Sequence, residues 1–261
     1  MRQVIVFASF GVADARTRAN SLDRTSFEIA RAYPQFAVVQ AYTSDFIREK
    51  MLKQGLRALS LAECLEELLD SGCEEVYIQP AHLTAGEEYE KKLVRVADEF
   101  ASRFKKLVLG EPLFCHDYDY DDVLAALTES LERQKDEHIV LMGHGSPHRH
   151  SDAYEILQDK ADKLGLPITL GVLEKTDRPT LDDVVARLKA KGAKKILLAP
   201  LLMVGGMHVT HDLAGNGRES WEKRLTEEGF EVRTDRRSLG EYPAFRTEYI
   251  KKVGRLLGRA D

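Results

Sequence analysis

Two hydrophobic periods alternate along the whole chain. Short apolar runs typical of buried β-strands are each followed by a longer segment in which apolar residues recur at the spacing of an amphipathic helix. The predicted strands are residues 4–8, 36–42, 76–80, 106–110, 138–143, 167–172, 195–200 and 230–234. The predicted helices are residues 14–33, 46–55, 60–72, 91–104, 123–133, 151–165, 180–191, 214–228 and 243–258. This alternation predicts an α/β fold with parallel sheets and right-handed crossovers.

The two halves of the chain resemble each other. Residues 72–86 align with residues 192–206 without a gap, and a proline and a glycine of each segment fall at matching positions. We therefore predict two similar flavodoxin-like or Rossmann-like halves, residues 1–120 and 121–261, packed across an active-site cleft. The alternative interpretation is that any two strand–helix units look alike at this level.

Two shorter matches extend the alignment, residues 7–11 with 141–145 and residues 40–44 with 170–174. In this register the second half carries His144, Glu174 and His208 where the first half carries Phe10, Ser44 and Glu88. All of these positions follow predicted strand ends, and the carboxyl ends of parallel strands meet at one edge of a sheet. Two imidazoles and a carboxylate at one edge form a common ligand set for a divalent first-row metal ion. The sequence therefore predicts one metal site, in the second half.

Each member of this set also has an ordinary explanation. The chain contains eight histidines, and a single histidine is more often a surface or core residue than a ligand. Glu174 lies beside a lysine and fits a solvated loop, while His208 follows a flexible Gly-Gly-Met segment. His148, Arg149 and His150 fit a solvated loop before a helix, with a supporting role for His148 as the alternative. His211 fits a fourth ligand, a group behind the ligands or a polar loop residue.

Composition and missing motifs exclude several other classes of protein. The net charge of −5 and the isoelectric point of about 6.0 argue against a nucleic-acid partner. No apolar run is long enough to cross a membrane, and no secretory signal precedes the first strand, so we expect a cytoplasmic protein. There is no glycine-rich dinucleotide or phosphate loop and no serine-hydrolase elbow. The three cysteines have no zinc-finger spacing.

The chain resembles the anaerobic sirohydrochlorin cobaltochelatases, which are class II, ATP-independent tetrapyrrole chelatases. The resemblance covers nearly the whole chain and depends on the order and spacing of several weak motifs. These motifs are Ser9–Gly11, Ala41–Ser44, Gln79–Leu83, Gly86–Glu90, Met142–Gly145, Glu174, Gly206–Asp212 and Ser220–Trp221. The sequence departs from the family pattern at His211, where Asn is expected, and at Met207, where an acidic residue is expected.

The resemblance implies a lyase that inserts Co²⁺ into sirohydrochlorin during cobalamin biosynthesis, with release of two protons and without ATP or another nucleotide. It places both the metal-binding and the catalytic roles on His144, Glu174 and His208. It also implies a fold of two similar halves with the tetrapyrrole in the cleft between them. Two alternatives stay open: a non-catalytic tetrapyrrole or metal carrier, and an iron-inserting chelatase for siroheme.

The first half is predicted to contribute to tetrapyrrole binding. The residues expected to face the substrate are Phe10, Ser44, His82 and Glu88. The substrate carries carboxylates, for which Arg16, Arg18 and Arg149 are candidate partners. The sequence does not decide between Co²⁺, Fe²⁺ and Ni²⁺, because all three accept imidazole and carboxylate ligands. It also leaves open whether the protein forms a homo-oligomer.

Overall fold

Two four-stranded parallel sheets organise the chain, and the computed structural model describes residues 3–147 and 150–259. The first sheet has the order β2-β1-β3-β4 and contains β1 (Gln3–Ser9), β2 (Ala37–Tyr42), β3 (Glu75–Pro80) and β4 (Lys106–Leu109). The second has the order β6-β5-β7-β8 and contains β5 (Glu137–Gly143), β6 (Ile168–Val172), β7 (Lys195–Pro200) and β8 (Glu231–Thr234). The predicted α/β class with two parallel sheets is confirmed.

Helices connect the strands as the hydrophobic pattern predicts. They are α1 (Ala15–Arg18), α2 (Arg24–Ala32), α3 (Asp45–Lys53), α4 (Leu61–Asp70), α5 (Glu87–Tyr89), α6 (Arg95–Phe100), α7 (Asp117–Ser130), α8 (Ala153–Lys163), α9 (Leu181–Ala190), α10 (Trp221–Glu227) and α11 (Pro243–Leu256). Three π-helical turns, Ala19–Asp23, Glu90–Val94 and His208–Leu213, interrupt or replace regular helix. Across the described residues, no helix has the length and apolarity that a membrane crossing requires.

The register of the strands confirms the duplication. In the first sheet Gln3 pairs with Glu75, and in the second Glu137 pairs with Lys195, which are the positions that the sequence alignment makes equivalent. Both sheets follow the same strand order. A π-helical turn also occurs beyond the third strand of each sheet. Both halves therefore bring the ends of their first three strands to one edge.

Each sheet has its own hydrophobic core. One face of the first sheet packs Val6 and Ile78 against Leu65 of α4, and all three side chains are fully buried. In the second sheet Leu198 lies in a cluster with Leu188 of α9. Helices that cover a parallel sheet exclude water from its strands, which explains why the strands are almost continuously apolar.

The structure divides the chain at a different place from the predicted boundary between residues 120 and 121. The first unit contains the residues up to Cys115 and those from Phe245 onward, and the second contains His116–Ala244. Helix α11 joins the first unit because its fully buried Tyr249 packs edge-on against Phe7, with 5.8 Å between ring centroids. The Tyr249 hydroxyl also donates a hydrogen bond of 2.9 Å to the carbonyl of Ala81.

Two predicted helices have different starts in the structure. The helix predicted over residues 123–133 begins earlier, because the acidic residues from Asp117 onward form the first turn of α7, where Asp119 accepts a hydrogen bond of 2.9 Å from the N–H of His116. Carboxylates are favourable there because the amino end of a helix carries partial positive charge. The helix expected from residue 214 begins only at Trp221, since the π-helical turn ends at Leu213 and a glycine-containing loop follows.

Candidate metal centre

His144 is the first residue after β5, whose seven residues are all buried. The imidazole is exposed, and its Nδ1 lies 3.0 Å from the carbonyl oxygen of Gly145. A carbonyl oxygen only accepts hydrogen bonds, so Nδ1 is the donor and Nε2 keeps its lone pair in the neutral ring. Gly145 has φ +75°, a left-handed conformation that favours glycine, and a methyl group added there would lie 2.9 Å from Cβ of Val172. The buried strand and the glycine turn thus present one imidazole nitrogen at the sheet edge.

His208 is the first residue of the π-helical turn beyond β7. Its Nδ1 lies 2.8 Å from Oδ2 of Asp212, four residues later, and both side chains are about half exposed. An ionised carboxylate is an acceptor only, so Nδ1 is again the donor and Nε2 is left to bind a metal ion. Asp212 has no predicted role of its own, although its spacing of four residues from His208 places both side chains on one face of a helical turn.

The structure brings His144 and His208 together. Their ring centroids are 4.9 Å apart and the rings are nearly perpendicular. The two residues are 64 positions apart in the chain but follow β5 and β7, which are neighbours in the second sheet. The predicted convergence of strand ends therefore places both imidazoles at one point.

Glu174 lies beside His144 through its backbone. Its N–H donates a hydrogen bond of 3.0 Å to the carbonyl of His144. Its carboxylate accepts a weak hydrogen bond of 3.4 Å from the Thr176 hydroxyl. The ligand atoms of His144, Glu174 and His208, all of them described residues, do not lie within 4.8 Å of one another as a set. The structure thus assembles the two imidazoles, and the ligand role of Glu174 stays a prediction.

Phe10 and Ser44 occupy the positions in the first unit that His144 and Glu174 occupy in the second. The N–H of Ser44 donates to the carbonyl of Phe10 at 3.3 Å, in the same way that Glu174 bonds to His144. Phe10 is exposed, and its substrate-facing role stays a prediction. The Ser44 hydroxyl caps α3 by accepting the N–H of Ile47 at 3.3 Å, so its predicted role in tetrapyrrole binding competes with a structural one.

His82 is predicted to face the substrate, and this role stays a prediction. Both ring nitrogens are buried, and neither has a hydrogen-bond partner among residues 3–147 and 150–259. Burial lowers the pKa of His82 to about 4, so the ring is neutral at physiological pH. It packs edge-on towards Tyr89, at 6.3 Å between ring centroids. Glu88 is half-buried in α5, just beyond the first unit's third strand.

The candidate partners of substrate carboxylates have different environments. Arg16 is exposed in α1, whereas the side chain of Arg18 is mostly buried, with its Nε 3.5 Å from Oδ2 of Asp23. Arg149 and His148 lie outside the described residues. His211 is exposed on the π-helical turn that begins at His208.

His150, which was expected in a solvated loop, forms a specific contact in the structure. Its Nδ1 lies 2.6 Å from Oδ1 of Asp177, a residue of the loop between β6 and α9. The hydrogen bond from Asp177 and the charges of Glu155, Asp177 and Asp152 raise the pKa of His150, although burial opposes them. The loop that carries His144 is therefore tied to the loop that carries Glu174.

The chain is similar to several known proteins over nearly its whole length. The family model described as "Cobalt chelatase (CbiK)" matches residues 3–257. A protein of Salmonella typhimurium named sirohydrochlorin cobaltochelatase is 28% identical over 100% of this chain and 98% of its own length. A protein of Nitratidesulfovibrio vulgaris named sirohydrochlorin cobaltochelatase CbiKC is 30% identical over 92% of this chain and 86% of its own.

Solved structures with the same fold include other chelatases. SirB from Bacillus subtilis, solved with Fe³⁺, superposes with a TM-score of 0.61 at 15% identity, covering 98% of this chain and 96% of SirB. CbiX, described as the terminal enzyme of siroheme biosynthesis in denitrifying bacteria, gives 0.60 at 17% identity, covering 97% and 99%. At these identities the likeness establishes the fold alone. The match of the family model over almost the whole chain shows that this protein belongs to the cobalt chelatase (CbiK) family.

Proposed function

We propose that the protein is an ATP-independent chelatase that inserts Co²⁺ into sirohydrochlorin and releases two protons. The observation that carries the proposal is the pair formed by His144 and His208, whose ring centroids are 4.9 Å apart. Each imidazole engages its Nδ1 with an acceptor of its own unit and leaves Nε2 to bind a metal ion. Membership of the family and the names of both relatives support the same reaction.

The chemistry of metallation assigns roles to these side chains. Two pyrrole N–H protons must leave the macrocycle as the metal ion enters, so the enzyme needs a metal-binding group and a proton acceptor on one face of the ring. A neutral imidazole can perform either task near physiological pH. The Asp212 carboxylate fixes the tautomer and orientation of the His208 ring, so His208 holds Co²⁺, while His144 both binds the ion and accepts a proton. Glu174 offsets the metal charge.

The experiment that tests the proposal is an anaerobic insertion assay with sirohydrochlorin and Co²⁺, followed by absorbance. We expect His144→Ala and His208→Ala each to abolish enzymatic insertion while circular dichroism shows an intact fold. Thr210→Ala is the control, because this exposed residue lies on the same turn as His208 and its hydroxyl donates hydrogen bonds to the backbone carbonyls of Gly206 and Met207. Unchanged turnover in both His144→Ala and His208→Ala would refute the proposal.

The same assay separates the remaining functional alternatives. A carrier would bind Co²⁺ or the tetrapyrrole stoichiometrically without accelerating insertion above the spontaneous rate. An iron chelatase would give a higher turnover with Fe²⁺ than with Co²⁺ in parallel reactions. We propose Co²⁺ as the preferred metal ion because both relatives at 28–30% identity are named cobaltochelatases.

A further inference from the structure

A buried carboxylate contacts the loop that follows His144. Asp177 belongs to the loop between β6 and α9, and its side chain is only 1% exposed. It accepts hydrogen bonds of 2.8 Å from the N–H groups of Ser146 and Arg178, and His150 Nδ1 lies 2.6 Å from Oδ1. A buried carboxylate is costly to desolvate unless it is fully hydrogen-bonded, and these contacts meet that requirement.

These hydrogen bonds connect the two loops that carry predicted metal ligands. Ser146 and His150 belong to the segment after His144, while the N–H of Asp177 itself donates a hydrogen bond of 3.0 Å to the carbonyl of Glu174. The N–H of Glu174 in turn donates to the carbonyl of His144 at 3.0 Å. The two loops are therefore joined by backbone hydrogen bonds and, in addition, by the hydrogen bonds to the Asp177 carboxylate.

The first unit provides an internal control for the role of this carboxylate. A methyl group added at Gly145 would lie 3.1 Å from Oδ2 of Asp177, and one added at the equivalent Gly11 would lie 3.1 Å from Cγ2 of Ile47. Ile47 thus occupies in the first unit the place that Asp177 occupies in the second. Since an aliphatic side chain is sufficient to pack beneath that loop, closing the loop does not by itself require a charge.

The unit that carries the predicted metal ligand His144 is also the unit in which the loop after its first strand is held by hydrogen bonds to a carboxylate. When the two short matches are continued without a gap, Ser146, His150 and Asp177 pair with Val12, Arg16 and Ile47 of the first unit. The side chain of Ile47 has no hydrogen-bond acceptor. Burial alone would raise the pKa of Asp177, but the hydrogen bonds from His150 and from the N–H groups of Arg178 and Ser146 lower it overall. Asp177 is therefore ionised at neutral pH.

We infer that Asp177 is a positioning residue, which together with His150 fixes the loop after β5 so that His144 is held in place for metal binding. In this role Asp177 acts through the N–H of Ser146, two residues beyond His144. The inference rests on the proposed function, because it requires His144 to be a ligand. Groups that orient a metal ligand typically change metal affinity by about 10- to 100-fold when they are removed.

The test compares Co²⁺ binding by the full chain with its stability. We expect Asp177→Asn and Asp177→Ile to weaken the dissociation constant for Co²⁺ by about 10-fold and to change the visible absorption spectrum of bound Co²⁺. Asp177→Ile introduces the residue that the first unit uses, so it should fold. Asp183→Asn is the matched control, because it makes the same chemical change in the same unit, at a carboxylate that caps α9 through the N–H of Thr180 at 2.8 Å.

Failure of the positioning role of Asp177 can be told apart from failure of the proposed chelatase function. If the wild-type protein does not insert Co²⁺, the proposed function fails. If the wild type inserts Co²⁺ but Asp177→Asn keeps the wild-type dissociation constant and spectrum, the positioning role is refuted, whatever happens to thermal stability. His150→Gln changes the exposed partner in the same contact. It should weaken Co²⁺ binding less than Asp177→Asn does, and Asp183→Asn should not weaken it.

Discussion

The hydrogen bond between His208 and Asp212 should matter far more for metal binding than for folding. Replacing Asp212 with Asn keeps the size of the side chain but removes its charge from a contact of 2.8 Å to His208 Nδ1. The amide can also turn its NH₂ group towards the ring, in which case Nδ1 no longer donates and the proton moves to Nε2. Both effects weaken Nε2 as a ligand.

The exposure of this pair determines how much its loss should cost in stability and in Co²⁺ affinity. The side chains of His208 and Asp212 are 46% and 47% exposed, so water screens their interaction. Exposed pairs four residues apart on a helix contribute about 0.3–0.5 kcal/mol to stability. Loss of a carboxylate that orients a metal-ligand histidine costs about 10- to 100-fold in metal affinity, or about 1.4–2.8 kcal/mol. We therefore expect an effect on Co²⁺ binding several times larger than the effect on unfolding.

The assay is an anaerobic titration with Co²⁺ followed by visible absorbance, together with urea unfolding of the metal-free protein. The control is Asp182→Asn, which removes an exposed carboxylate whose Oδ1 lies 2.8 Å from an Arg224 nitrogen elsewhere in the second unit. It should leave the Co²⁺ dissociation constant unchanged. A change of less than about twofold in Asp212→Asn would show that Asp212 does not orient the ligand, since the expected range begins near 10-fold.

Two further substitutions test the glycine turn and the buried histidine. Gly145→Ala should lower the free energy of unfolding by more than about 1 kcal/mol and weaken Co²⁺ binding, because the residue has φ +75° and its added Cβ would lie 2.9 Å from Val172. Urea unfolding measures the change in stability. The control is Gly165→Ala, which has φ +66° and whose added Cβ would meet no atom of the described residues within 4 Å, so it measures the backbone cost alone. His82→Leu should raise the free energy of unfolding by about 1–3 kcal/mol, because it removes two buried nitrogens without partners among the described residues. Burial lowers the pKa of His82 to about 4 in the folded protein, below the unfolded value of about 6.5, so wild-type stability should fall as the pH drops through that interval. His82→Leu should reduce that fall. An unchanged pH dependence of stability in His82→Leu would contradict the burial argument.

Local periodicity and the internal repeat were enough to predict most of the fold. The apolar runs that form β1 and β5 are short, flanked by turn residues and followed by helical spacing. Nearby residues in the sequence are therefore enough to assign them as strands. Parallel topology then places strand ends at one edge, which is why His144 and His208 could be paired from the sequence. Comparison with Phe10 also identified the unit that carries the imidazoles.

The environments of individual side chains depended on tertiary structure. Helix α11 has an ordinary amphipathic sequence, and only its packing of Tyr249 against Phe7 assigns it to the first unit. His82 stands in a motif that suggested substrate contact, but its ring nitrogens are buried. Burial depends on residues that are distant in the chain, and local pattern carries no information about them.

The same distinction applies to the candidate metal centre. Sequence alone was enough to identify the residues that follow the strand ends of the second unit, because side-chain type and spacing are local properties. Only the tertiary structure showed that Asp177 contacts the loop of His144 and that the Glu174 carboxylate does not complete a compact set of three ligands. These features depend on the directions in which two separate loops turn, and loop direction is decided by hydrogen bonds between segments that the sequence does not place side by side.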